Sequence, residues 1–236
     1  MTMPELLSIS EAARQLDLSP RRVRALVESG RLRANRVGSR YVISRSDVGR
    51  YQRSKAPSGR PISAANAWGL VAILAGEEPS WLGSSAEWRL RRLLKQGAAQ
   101  VEDALLRSAP RSDVHHWRLL LGDLAKALED EDVLVLGGLA AQSPSIDVPY
   151  LPGQDPLEAY VSDRDLRKLR GRFKPSDDSS HANLLLRVPA HPWVLKKGPA
   201  APEAVVAADL LEHDDERVVR AGRQLLERLV DAHQHS

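Results

Sequence analysis

The chain has 236 residues, enough for two modest domains, and a formal net charge of +3. It contains no cysteine, which excludes a disulfide framework and a thiolate metal site. No apolar run is long enough to span a bilayer, and the N-terminus lacks the layout of a signal peptide. We therefore expect a protein of the bacterial cytoplasm without a membrane partner.

Positive charge is concentrated at the N-terminus. Residues 1–60 contain 13 Lys+Arg and 5 Asp+Glu, a net charge of +8. Since the whole chain carries +3, residues 61–236 carry −5. A basic segment joined to a mildly acidic remainder is typical of a DNA-binding domain attached to a second domain.

The basic segment predicts two short helices around a tight turn. Ser10 is the expected N-cap of the first helix, because its hydroxyl can accept a hydrogen bond from the first turn. The apolar residues of this helix recur at helical spacing, namely Ala12, Ala13 and Leu16. Asp17-Leu18-Ser19 then interrupts the pattern.

The second helix is expected to begin after Ser19, its N-cap, with Pro20 at the first position, where a missing N–H costs nothing. Gly30 is its expected end. Its predicted buried stripe is Val23, Leu26 and Val27. Its exposed positions include Arg21, Arg22 and Arg24. Three guanidiniums near the N-terminus suit a helix that enters the major groove of duplex DNA by that end.

A β-hairpin, or wing, is expected next. Two strands are predicted at Leu32-Arg33-Ala34 and Tyr41-Val42-Ile43, with a turn at Val37-Gly38-Ser39. Arg36 and Arg40 flank the tip, where they can reach phosphates or the minor groove. The alternative for the arginines of helix and wing is a solvated face without a ligand.

A closing helix is expected from Ser46-Asp47-Val48, with Val48 and Tyr51 packed back onto the domain. The segment resembles the excisionase-type winged helix-turn-helix, a relative of the MerR DNA-binding head. The residues that carry the resemblance are Glu11-Ala12-Ala13, Ser19, Ser29-Gly30-Arg31-Leu32 and Arg36-Val37-Gly38-Ser39-Arg40. We therefore expect DNA recognition by Arg21, Arg22 and Arg24 in the groove and by Arg36 and Arg40 from the wing, with Ser19 as a further phosphate contact.

The domain boundaries follow from composition. Ser54 to Pro61 is rich in proline, glycine and serine and predicts a linker at residues 56–62. We expect a DNA-binding domain at 1–55, a helical segment at 63–125 and a mixed α/β domain at 126–236. The predicted fold class is α+β.

The helical segment begins with a predicted helix from Ser63 to about Ala75, with Trp68, Val71 and Leu74 on one stripe. A second helix is expected from Ser84 to about Gln96, with Glu87 completing a capping box. The side chains expected to bury against the first helix are Trp81, Trp88, Leu90, Leu93 and Leu94. Arg89, Arg91 and Arg92 form a basic cluster that fits a solvated helix face better than an extension of the DNA surface.

The last third of the chain alternates between strands and helices. Strands are predicted at residues 133–136 and 183–188. Ser162 is expected to cap a helix that runs through Leu169. Two further helices, near residues 202–212 and 215–230, carry apolar stripes of Val205, Val206 and Leu210, and of Val218, Leu225, Leu226 and Leu229.

Catalytic signals are weak in this part. Gly137-Gly138 followed by Asp147 is a partial match to a nucleotidyltransferase signature, in which a glycine pair and Asp-x-Asp hold magnesium and phosphates. Position 149 is Pro149, and one carboxylate makes a poor two-metal site. Asp163 and Asp165 are expected at a helix start, where acids favour the helix dipole.

The histidines lack metal-ligand spacing, and Asp177-Asp178-Ser179-Ser180 reads as a solvated loop. The histidines concerned are His115, His116, His181 and His191. We expect no enzymatic activity, no cofactor and no metal.

Residues 133–230 resemble the C-terminal domain of AbiE-type (type IV) antitoxins, in the actinobacterial branch with an excisionase-like head. The matching blocks are Gly137-Gly138-Leu139-Ala140-Ala141, Glu158-Ala159-Tyr160-Val161, Asn183-Leu184-Leu185-Leu186-Arg187-Val188, Ala207-Ala208-Asp209-Leu210-Leu211-Glu212 and Arg217 to Leu229. The resemblance implies a nucleotidyltransferase-like toxin encoded next to this chain, and leaves direct contact with that toxin open.

The resemblance further implies an autorepressor that binds inverted repeats in its own promoter, as a homodimer at least on DNA, and lies on the nucleoid when bound. Two alternatives stay open. One is a stand-alone transcriptional regulator whose C-terminal domain senses a ligand or dimerises. The other is an enzyme with a DNA-binding head.

Overall fold

The computed structural model describes residues 6–28, 32, 34–37, 40–53, 61–128, 133–176, 181–213 and 215–235. The chain divides into two compact units, residues 1–59 and residues 60–236. Helices and strands occur in both units, so the predicted α+β class is confirmed. No helix in the described ranges is long and apolar enough to cross a membrane.

The N-terminal unit combines helices with a small antiparallel sheet of order β1-β3-β2. Its elements are β1 (Leu6–Ser8), α1 (Ile9–Leu16), α2 (Pro20–Glu28), β2 (Asn35–Val37), β3 (Arg40–Ser44) and α3 (Arg45–Arg53). They enclose one core, formed by Leu7, Ala12, Ala13, Leu16, Val23, Leu26, Leu32, Ile43 and Val48. The small alanines allow α1 to pack closely against α2.

Helix α1 begins earlier than we predicted. Ser8, not Ser10, is the N-cap: its hydroxyl accepts from the Glu11 N–H at 3.3 Å, and the Glu11 carboxylate accepts from the Ser8 N–H at 2.7 Å. This reciprocal pair of hydrogen bonds is a capping box. The sequence pattern Ser8-x-x-Glu11 is typical of one, whereas our prediction of Ser10 considered only a single cap residue. The Ser8 backbone and hydroxyl lower the pKa of Glu11.

The wing lies slightly later in the chain than expected. The first strand is Asn35–Val37, and the strand predicted at residues 32–34 is wrong, because Leu32 is buried in the core instead. The second strand is Arg40–Ser44, and α3 follows it directly from Arg45. The predicted helix end at Gly30 and the tip at residues 38–39 lie outside the described residues.

The second unit contains a four-stranded mixed sheet of order β4-β7-β6-β5. The β6–β7 pair is parallel, and the β4–β7 and β5–β6 pairs are antiparallel. Its elements are α4 (Ala64–Leu74), α5 (Ser84–Leu94), α6 (Ala98–Leu106), β4 (Ser112–Trp117), α7 (Leu121–Leu128), β5 (Val135–Leu136), β6 (Leu157–Tyr160), α8 (Asp163–Phe173), β7 (Leu184–Pro189), α9 (Glu203–Leu210) and α10 (Glu216–Gln234).

Helix α4 is the central helix of this unit. Every residue from Ala67 to Leu74 is buried, and the helix contains no charged residue, which is typical of a helix covered on all sides. It shares one apolar core with α5, α6, α9 and α10. The helical segment predicted at 63–125 is therefore part of the same compact unit as residues 126–236, and contributes β4 to the common sheet.

A second apolar core lies on the sheet near α8, and includes Trp117, Leu119, Leu157, Leu166, Leu169, Leu184 and Leu186. The predicted N-cap Ser162 is confirmed. Ser63, where a helix was predicted to begin, is the N-cap of α4, and Asp215 caps α10. The capping box predicted at Ser84 and Glu87 is wrong: α5 starts after Gly83 without a side-chain cap, and Glu87 pairs with Arg91.

Candidate nucleic-acid interface and a buried charge cluster

The exposed face of α2 is set by its contact with the core. The backbone N–H of Arg22 donates to the Ser19 hydroxyl at 3.2 Å, so Ser19 starts the helix as predicted. Val23 and Leu26 are buried on the inner side. At about 100° per residue, Arg21 lies almost opposite this stripe, and Arg22 and Arg24 lie on its two flanks.

These three arginines are all exposed and carry uncompensated charge. Within the described parts of the chain, none of Arg21, Arg22 and Arg24 forms an ion pair. Their guanidiniums are therefore available to bind an external anion. When such cations bind the phosphates of DNA, condensed counterions are released, and this release favours binding through entropy. The structure places them together at the start of one helix, as the sequence predicted.

Arg36 and Arg40 lie on the wing. In the β2–β3 ladder, Arg36 is paired with Tyr41 and Arg40 is paired with Val37. Both residues therefore belong to the hairpin, on either side of its turn. Their side chains lie outside what the structure describes, so their DNA contacts stay predictions.

Comparison with known families supports this geometry. Residues 6–56 match the model of a helix-turn-helix domain, over the stretch that forms the sheet and helices just described. The N-terminal unit is a helix-turn-helix DNA-binding domain. Neither the comparison with curated proteins nor that with solved structures gave a match to the chain. In helix-turn-helix domains the second helix is the one that recognises DNA, and α2 is the second helix of this unit.

The second unit holds a buried cluster of charges that our sequence analysis did not predict. Its members come from positions far apart in the chain: Arg111, Glu158, Tyr160, Arg187, Asp209 and Glu212. Four charged members are only 2–7% exposed, namely Arg111, Glu158, Arg187 and Asp209. We call this group the charge cluster.

Asp209 on α9 is the centre of one half of the cluster. Its Oδ1 accepts from the Tyr160 hydroxyl at 2.7 Å and from Arg111 Nη2 at 3.0 Å. Its Oδ2 accepts from the Gly138 N–H at 3.4 Å. Burial of a carboxylate is tolerated because each oxygen has a donor.

Arg187 on β7 is the centre of the other half. Its Nη2 and Nε donate to Glu158 Oε2 at 3.0 and 3.2 Å. Glu212 bridges the halves, since its two oxygens accept from Arg187 and Arg111, each at 3.1 Å. The cluster thus connects the sheet to α9 through charge-assisted hydrogen bonds.

The glycine pair packs against this cluster. Gly138 has a φ of 52°, and a Cβ there would lie 2.7 Å from the carboxyl carbon of Glu158. Both the left-handed backbone and the close approach require glycine. Asp147, the acid that the sequence paired with these glycines, is an exposed residue of the following loop. Gly138 therefore allows the close packing of Glu158, and Gly137 allows that of Tyr160.

The cluster raises the pKa values of three of its members. Burial, followed by the negative charge of Asp209, raises the pKa of Tyr160 well above its ordinary value, so the hydroxyl stays protonated. Burial opposes the charge of Arg111 and Arg187, but the surrounding carboxylates outweigh it and raise the pKa of both. Both guanidiniums therefore stay charged.

This arrangement favours structural bonding over catalysis. Each carboxylate of the cluster is bonded to a guanidinium, and Trp68 both donates to the Arg111 carbonyl at 2.7 Å and lies 5.5 Å from its guanidinium. Among the described residues, no group of three or more His, Cys, Asp or Glu could hold a metal ion. The signal that could have located the cluster is a lone charge in an apolar run, as in Glu158, Arg187 and Asp209.

The remaining sequence candidates have local roles. Ser162 accepts from the Asp165 N–H at 3.0 Å, and the Asp163 and Asp165 carboxylates pair with Arg167 and Lys168 on the same helix. His115 and His116 are neighbours on β4, and His191 stacks on Trp81 with ring centroids 3.8 Å apart. The predicted loop at residues 177–180 lies outside the described residues.

An open groove of about 620 Å³ lies between the start of α7 and the end of α8. Leu120 and Leu121 beside it are 77% and 80% exposed. Arg118 and Lys174 also line it. Exposed leucines beside a concave surface are typical of an interaction site.

Proposed function

We propose that this chain is a DNA-binding autorepressor and the antitoxin of a toxin–antitoxin pair. The observation that carries the proposal is the helix-turn-helix domain with three arginines at the start of α2 that have no acidic partner among the described residues. The function is a binding function, without catalysis, metal or cofactor. The antitoxin part rests on the resemblance of residues 133–230 to AbiE-type antitoxins.

DNA recognition would use the N-terminus of α2 in the major groove. Arg21 lies farthest from the core and is suited to base edges, where arginine makes bidentate bonds to guanine. Arg22 and Arg24 on the flanks are suited to phosphates, as are Arg36 and Arg40 of the wing. The Ser19 hydroxyl accepts from the helix and keeps its own proton to donate to a phosphate.

The operator is expected to contain inverted repeats. A homodimer on DNA places two recognition helices about one helical turn apart, or a multiple of it, so half-sites would be spaced by about 10 base pairs. Binding of the protein to this operator would then repress its own gene and the adjacent toxin gene together.

The charge cluster supports the antitoxin resemblance. Four of the blocks that carry the resemblance are separate in sequence, yet each contributes to the cluster: Gly138, Glu158 with Tyr160, Arg187, and Asp209 with Glu212. The blocks therefore have a common structural basis in one buried network. Because guanidiniums occupy all three carboxylates, the cluster also favours a non-catalytic role.

We assign the groove beside Leu120 and Leu121 as the contact surface for the toxin, if neutralisation uses direct contact. The experiment is co-expression with the neighbouring gene placed under an unrelated promoter, scored by growth. Rescue by the intact chain supports the antitoxin. Failure to rescue, with normal promoter binding, leaves a stand-alone transcriptional regulator.

A further inference from the structure

Helix α5 exposes a tryptophan among cations. Trp88 is 60% exposed, although its sequence position suggested burial against α4. Arg89, Arg92 and Lys95 are exposed on the same side of the helix. We call these four residues the α5 surface.

The cations of the α5 surface are not neutralised. Arg91, the third arginine of the sequence cluster, pairs with Glu87 at 2.8 Å and is thereby separated from the others. In contrast, Arg89, Arg92 and Lys95 have no acidic partner in the described ranges. They form a local positive patch within residues 61–236, whose net charge is −5.

The spacing of these residues fits a regular array of anions. Arg89 and Lys95 are six residues apart, which is about 9 Å along the helix axis. One DNA strand carries a phosphate about every 3.4 Å along its axis, so this length corresponds to two or three phosphate spacings. The Arg92 guanidinium lies 5.5 Å from the centre of the Trp88 ring, and holds the aromatic group beside the charges.

We propose that the α5 surface binds the sugar–phosphate backbone of duplex DNA. Arg89, Arg92 and Lys95 bind phosphates, and the Trp88 ring packs on the deoxyribose between them. This inference rests on the proposed DNA-binding function. It adds a second DNA contact, located outside the helix-turn-helix domain.

Tethering makes such a contact effective. A patch of three cations binds DNA weakly on its own. When the helix-turn-helix domain is bound to DNA, the second unit is held near the duplex at an effective concentration that reaches about millimolar for a short linker. A weak, sequence-independent contact is then occupied, and lowers the dissociation rate from every DNA sequence.

The test compares salt dependence in the full-length chain. Arg89→Gln, Arg92→Gln and Lys95→Gln are combined, and binding to a promoter duplex and to a random duplex is measured by fluorescence anisotropy at increasing salt. Each lost phosphate contact makes the log–log slope less steep by about 0.9, so we expect a decrease of up to about 2.7 on both duplexes. Trp88→Ala is expected to weaken binding with little change in slope.

The matched control removes the same charge elsewhere. Lys126, Lys196 and Arg220 are exposed residues of the same unit, and their combined change to Gln also lowers the net charge by three. The parent slope should be retained in this control. Thermal unfolding of each variant checks that α5 remains folded.

The outcomes separate this inference from the function on which it rests. If the parent binds DNA and the α5 variant has the same slope as the control, the inference is overturned and the proposed function stands. That result, with a lowered melting temperature, would assign the cations to stabilising the C-terminal end of α5. If the parent does not bind DNA, both are overturned.

Discussion

At the scale of single residues, the proposed DNA recognition depends on where each arginine of α2 lies relative to the core. Val23 and Leu26 fix the inner side of the helix, and this directs Arg21 outward. Ser19 fixes where the helix starts. The position of each guanidinium is thus set by the packing of Val23 and Leu26 and by the helix start at Ser19.

Arg21→Ala is therefore expected to weaken binding to the operator by about 1–3 kcal/mol and to relax preference at one base pair. Arg24→Ala and Arg40→Ala, which remove proposed phosphate contacts, should weaken binding to operator and random DNA alike. Titrations of each variant with an operator duplex and with a random duplex measure these changes in affinity. Arg14→Ala, at an exposed position of α1, is the control; parent-like binding by all three variants would place another helix in the groove.

The charge cluster is also a residue-scale feature, and it has a pH signature. Because the pKa of Tyr160 is raised in the folded chain, its contribution to stability is complete below the ordinary tyrosine pKa of about 10 and is lost as pH rises above that value. We expect the free energy of unfolding to fall as pH rises above about 10. Tyr160→Phe should flatten this fall. An equally steep decline in that variant would assign it to other groups.

At the scale of elements, caps decide where helices begin. Ser8→Ala removes the cap of α1 and should lower the stability of the N-terminal unit by about 1 kcal/mol. Ser10→Ala is the matched control, because Ser10 lies inside the helix and should have a much smaller effect. Urea unfolding monitored by circular dichroism distinguishes the two. Equal effects of both changes would contradict the observed capping box.

Elements with strong end signals were predictable, and those without were not. Ser63 and Ser162 mark helices that occur as expected, because a hydroxyl cap and an apolar stripe agree. Helix α6 starts after Gly97 without a side-chain cap, and β4 contains polar residues, so neither was predicted. Trp88 was placed in the core because aromatic residues usually bury, but helix periodicity puts it on the outer side of α5.

The two candidate sites also differ in how far they can be predicted from the sequence. The arginines of α2 lie within four residues of each other, so local pattern located them. The charge cluster joins Arg111 to Asp209, which are 98 residues apart, and such a pairing has no local signature. Only the fold brings its members together.

At the scale of the whole molecule, the two compact units predict separable functions. Residues 60–236 contain two apolar cores of their own, so this fragment should fold without the helix-turn-helix domain. The fragment should not bind the promoter. When the fragment is supplied in trans, it should still protect cells from a toxin that is expressed from an unrelated promoter. Leu120→Ser with Leu121→Ser should remove that protection and leave DNA binding unchanged. No protection by either the folded fragment or the intact chain, with the toxin expressed from an unrelated promoter, would contradict the antitoxin proposal and leave a transcriptional regulator.

The most direct test of the central claim is binding of the purified full-length chain to the DNA upstream of its own gene. The comparison duplex has the same composition with the inverted repeat scrambled. We predict a preference for the native duplex of about 10³-fold or more, with affinity that falls steeply as salt rises. Equal affinity for both duplexes, or binding that salt does not weaken, would contradict the account.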